Sequence, residues 1–96
     1  MISQALAQQA VHAIGLLAGE YWRDLECEVQ DDATFLLIQA DARAESALQP
    51  PDDVRAEIVK SLTAILPEHT GDSRGNWMVI VFHEGHMRTS LMASEV

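Results

Sequence analysis

Trp77-Met78-Val79-Ile80-Val81-Phe82, followed by His83-Glu84-Gly85-His86, decides how this chain folds. An unbroken apolar run of this length is too short for a helix and rich in β-formers. It therefore reads as a strand buried on both faces. Glu84-Gly85 offers a two-residue hairpin turn, and His86 to Leu91 returns as a more polar strand. The tail beyond, residues 91–96, is expected to fray.

Working backwards from Trp77, residues 67–76 (Pro-Glu-His-Thr-Gly-Asp-Ser-Arg-Gly-Asn) form a polar loop. Before it, Pro50-Pro51-Asp52-Asp53 announces a helix, because proline suits a first turn and acids favour the positive end of the helix dipole. Val54, Ile58, Leu62, Ile65 and Leu66 then recur at i, i+4, i+8, i+11 and i+12, the clearest helical period in the chain. Pro67 ends that helix.

In the first half, residues 3–18 read as an Ala-rich amphipathic helix with Ser3 as N-cap and Gly19 as its stop. Leu6, Ala10, Ala13, Ile14 and Leu17 form its core stripe. From Tyr21 to Val29 the period changes to two. Leu25, Cys27 and Val29 alternate with Asp24, Glu26 and Glu28, as in an edge strand with one wet face. Asp31-Asp32 suits a tight turn, and residues 34–40 return as the partner strand. A two-residue loop there would set Cys27 opposite Leu36 and Leu25 opposite Ile38. Residues 41–49 connect onward, with a helical turn between Ala42 and Leu48.

The expected fold is a single compact α+β domain over residues 1–96, in the order α-β-β-α-β-β. It has a four-stranded mixed or antiparallel sheet with both helices packed on one face. The second helix crosses from strand two to strand three, which favours a parallel central pair with the acidic and polar strands at the edges. An order with the fourth strand in the middle is the alternative.

Two helices cover only one face of such a sheet. The pattern assigns Leu25, Cys27, Val29, Leu36, Ile38, Met78, Ile80, Phe82, Met87 and Leu91 to the helix side. Trp22, Phe35, Leu37, Trp77, Val79 and Val81 are thereby expected on the uncovered side, as a partner-binding surface bordered by the acidic edge Asp24, Glu26 and Glu28. A one-residue slip of any strand would exchange its two sets.

The composition limits the partners. Fifteen acidic side chains against six basic ones give a net charge of −9, and 48% of residues are hydrophobic. The chain should therefore fold, and its surface should repel phosphate backbones, which argues against nucleic acid. The imbalance is lopsided, with ten acids and two bases in residues 1–53. The single Cys27 makes no internal disulfide, and no apolar run is long enough for a membrane span. Met1 to Leu6 lacks the basic first region of a secretory leader, so a soluble cytoplasmic protein is expected.

The chemical motifs are weak. Gly71-Asp72-Ser73-Arg74-Gly75 matches a nucleophile-elbow pattern, but a helix precedes it and a strand follows, the reverse of what that motif needs. His83 and His86 flank the hairpin turn and face the same way, yet a metal site would need a third ligand that the sequence does not place. Cys27 sits among apolar neighbours as core filler, and Glu26 and Glu28 beside it oppose thiol activation. Asp31 and Asp32 with the strand acids lack the loop of a calcium site.

The reading is a small acidic non-enzymatic interaction module of chaperone, adaptor or immunity-protein type. It dimerises or docks a protein partner and uses no cofactor. The alternative is a small metal-binding protein or enzyme built on the His83/His86 hairpin.

Overall fold

The computed structural model describes residues 3–30, 36–66 and 77–93. The expected Asp31-Asp32 turn, Phe35, the 67–76 loop with its Ser73 motif and His69, and residues 94–96 of the expected frayed tail lie outside the described residues, whereas Leu91 and Met92 of that tail are the paired end of a strand.

Helix α1 spans Gln4–Ala18, and the Leu6 N–H donates to Ser3 Oγ at 3.2 Å, the N-cap that the sequence implies. Gly19 follows it in right-handed rather than left-handed geometry. A Cβ there would stand 2.8 Å from the Gly15 carbonyl oxygen, so the glycine is needed for space and not for a positive φ. Strands β1 (Trp22–Val29) and β2 (Leu36–Ala42) form an antiparallel pair. A 3₁₀ turn at Glu45–Leu48 then leads to α2 (Asp52–Ile65), whose first turn holds Asp52 and Asp53. Strands β3 (Trp77–His83) and β4 (His86–Met92) close the chain as the second hairpin.

The sheet order is β1-β2-β3-β4, with β2 and β3 parallel and both outer pairs antiparallel. The fold is thus a single compact α+β domain with a mixed sheet and its two most apolar strands at the centre. Cys27 pairs with Ile38 and Val29 with Leu36, two residues off the expected register, so the same faces are kept.

One side of the sheet forms the core. Trp22, Leu36, Ile38, Ala40, Ala42, Trp77, Val79, Val81 and Leu91 are all buried there, in one cluster with Ala7, Ala10, Ile14 and Ala18 of α1 and Ile58 and Leu62 of α2. Both helices therefore lie on this one face. Alanines on the inner stripe of α1 let it approach closely, while α2 fills space with branched side chains.

This arrangement corrects the expected inner and outer sets. Trp22, Trp77, Val79 and Val81 are at most 1% exposed and face the helices, so they form no external surface. Met78, Ile80 and Phe82, expected inside, are half-buried on the other side, and Met87 is 60% exposed. The strand 77–82 is thus not equally buried on both faces, because among the described residues only one face has a helical layer.

A bulge accounts for Trp22, and the turn register accounts for Met87, which pairs with the outward Phe82. In β1, Asp24 and Leu25 together oppose Ala40, with Asp24 at φ 53°, and the extra residue turns Trp22 inward. In β4, Val79 pairs with Leu91 but Ile80 pairs with Thr89, so Ser90 is supernumerary and Leu91 is returned to the inner face. Ser90 is the one buried polar side chain among the described residues. Its hydroxyl donates to the Leu48 carbonyl at 3.2 Å, and Arg55 on α2 donates to the Ser90 carbonyl at 3.2 Å. The bulge thereby fastens β4 to the 3₁₀ turn and to α2.

Candidate interaction surface

The sheet face away from the helices is built in rows set by the register. Glu28, Leu37, Met78 and Met92 form one row; Glu26, Gln39, Ile80 and Thr89 the next; Arg23, Asp41, Phe82 and Met87 the third. Along β3, Met78, Ile80 and Phe82 make a continuous apolar track. It widens at one end through Leu37 and Met92 and at the other through Met87. Every methionine after Met1 is on this track. Unbranched thioether side chains adapt to irregular partners, which is why methionine is favoured on versatile binding surfaces.

Of the surface residues expected from sequence, only Leu37 is found here; Phe35 is undescribed, and Trp22, Trp77, Val79 and Val81 are in the core. Met78, Ile80, Phe82, Met87 and Met92 replace them. An apolar set was expected on this face, and the set found there is a different one.

The acidic border is where the pattern put it. Asp24, Glu26 and Glu28 are exposed on β1, and Asp41 joins them from β2. An open depression of about 370 Å³ lies at that corner, lined by Asp24, Glu26, Gln39, Ala40, Asp41, Phe82 and Gly85. Arg23 reaches into the same corner, with its guanidinium 3.3 Å from Asp41 and 4.0 Å from Asp24. These pairs are solvent-exposed, so they stabilise by no more than about 1 kcal/mol.

No family model, curated protein or solved structure matches this chain.

The other candidates are arranged for structure. His83 pairs with His86 across the turn. The His83 Nδ1 lies 3.4 Å from the Ala42 carbonyl oxygen, to which it donates in the tautomer protonated at that nitrogen, tying the hairpin to β2. The other nitrogen is 3.9 Å from Glu84, and His86 is exposed. Among the described residues no three His, Cys, Asp or Glu side chains converge as metal ligands. Cys27 is half-buried on the helix side, where Gln8 Nε2 donates to its Sγ at 3.7 Å. Burial pushes its thiol above the ordinary range, the opposite of what a nucleophile needs. No helix among the described residues is long and apolar enough to cross a membrane. Leu16, 76% exposed on α1, stands away from the sheet face.

Proposed function

We propose that this chain is a non-enzymatic protein-interaction module that docks a protein partner on its uncovered sheet face. The observation that carries the reading is the continuous half-buried track Met78-Ile80-Phe82, with Leu37 and Met92 half-buried and Met87 exposed beside it. Contiguous apolar patches of a few hundred Å² on a soluble domain mark contact surfaces. At about 25 cal/mol per Å², covering ~300 Å² of such surface is worth roughly 7 kcal/mol before the entropy of association is subtracted. The acidic border then selects among partners that fit the apolar track, since charge complementarity acts mainly on specificity and on encounter rate. A lone Cys27 fits a reducing cytoplasmic setting.

A photo-crosslinking side chain at position 80, compared with one at the exposed Glu57 of α2, tests the reading in native cells. A discrete adduct is expected at position 80 and not at position 57. Its mass separates a second copy of the chain from another protein. Absence of any adduct at position 80 removes the proposed role.

A further inference from the structure

We infer that the occupant of this face is an amphipathic helix of another protein, carrying Lys or Arg along one flank; this rests on the docking role proposed above. The apolar track follows β3 over five residues, about 13 Å at 3.3 Å per residue. About nine residues of helix cover that length at 1.5 Å rise. With strands about 4.8 Å apart, β2 to β4 span roughly the width of one helix with its side chains. A helix laid there gives the bare face the same kind of cover that α1 and α2 give the other.

Charge decides against a second copy of the chain. On the outer face the acids are Asp24, Glu26, Glu28 and Asp41, all on the β1 and β2 side of the track. The one cation among the described residues of that face is Arg23, already engaged by Asp41 and Asp24. Arg88 pairs with the inward Val81, and so belongs to the opposite phase of β4. Whichever way two such faces are brought together, the described residues supply no free cation to answer either acidic margin. A helix with Lys or Arg on one flank answers the acids while its apolar stripe lies on Met78, Ile80 and Phe82. The depression beside Phe82 admits one long basic side chain, its stem against the ring and its head among Asp24, Glu26 and Asp41.

Two fluorescent helical peptides of about 18 residues test this. They share one Leu/Met stripe and differ only in having Lys or Glu along a flank, and binding to the full chain is read by anisotropy. The Lys peptide is expected to bind at least about tenfold more tightly at low salt, with the gap narrowing near 0.5 M salt as the charges are screened. The double variant Glu26→Lys, Glu28→Lys, altered only at exposed positions, should reverse the preference. Ile80→Glu, shown to be folded by its circular dichroism, should abolish binding of both peptides. Equal affinities, an unmoved preference in the double variant, or no binding of either peptide overturns the basic-helix inference and leaves docking by some other partner standing. Binding of both peptides that survives Ile80→Glu overturns the docking face itself.

Discussion

Trp22 shows how one side chain holds two parts of the chain together. It is buried with its indole N–H donating to the Ala47 carbonyl at 2.7 Å, which anchors the 3₁₀ turn over the end of the sheet. Trp22→Phe keeps much of the bulk and strands that carbonyl, so a loss of about 1–3 kcal/mol is expected. It should be read as a lower urea midpoint at unchanged slope. Cys27 makes a different prediction. Because burial raises its thiol, the folded chain keeps the proton to higher pH than the unfolded chain does. Its contribution is complete below the ordinary thiol range and is lost as pH rises through the folded value. Urea midpoints measured from about pH 7 to 10 should therefore fall on the alkaline side, and Cys27→Ala should lack that component. The inward position of Cys27 was legible from its alternation with Glu26 and Glu28. That of Trp22 was not, because nothing in Arg23-Asp24-Leu25 advertises a bulge, and one extra residue reverses the phase of everything before it.

At the scale of elements, the second hairpin turns on Glu84 and Gly85, both at positive φ, 51° and 81°, as its tight two-residue turn requires. Gly85→Ala meets no neighbouring atom but is held in left-handed geometry, so about 1 kcal/mol of stability should be lost. Glu84→Asn should shift the melting temperature the other way, since asparagine tolerates that geometry better. The helices and this turn were readable from period, capping and punctuation, whereas the sequence allows two strand orders and the parallel pairing of β2 with β3 decides between them. The phase of β3 was not, because Trp77, Val79 and Val81 are no more hydrophobic as a set than Met78, Ile80 and Phe82. Only pairing with β2 chooses between them, Leu36 opposite Trp77 and Leu37 opposite Met78. In β2 the polar Gln39 and Asp41 mark the wet side; β3 has no such marker before His83.

For the molecule as a whole, the helices and the net charge of −9 are distributed so that one sheet face is sealed and the other is left apolar beside an acidic margin. That both described helices lie on one sheet face followed from counting helices against sheet faces. The residues on the other face depended on two bulges and one undetermined phase. The parallel seam between β2 and β3 has a separate consequence. Each helix-plus-hairpin half donates one strand to it, and the Trp22 to Ala47 bond stays within the first half, while Ser90 and Arg55 bind within the second and reach across to Leu48. Neither half encloses its own apolar interior. Severed between Gln49 and Pro50, the two pieces should each remain unstructured when alone and recover the native circular dichroism only on mixing at equal concentration. Persistent structure in either isolated piece would mean that the seam is an addition to an autonomous subdomain and not the joint on which cooperative folding depends.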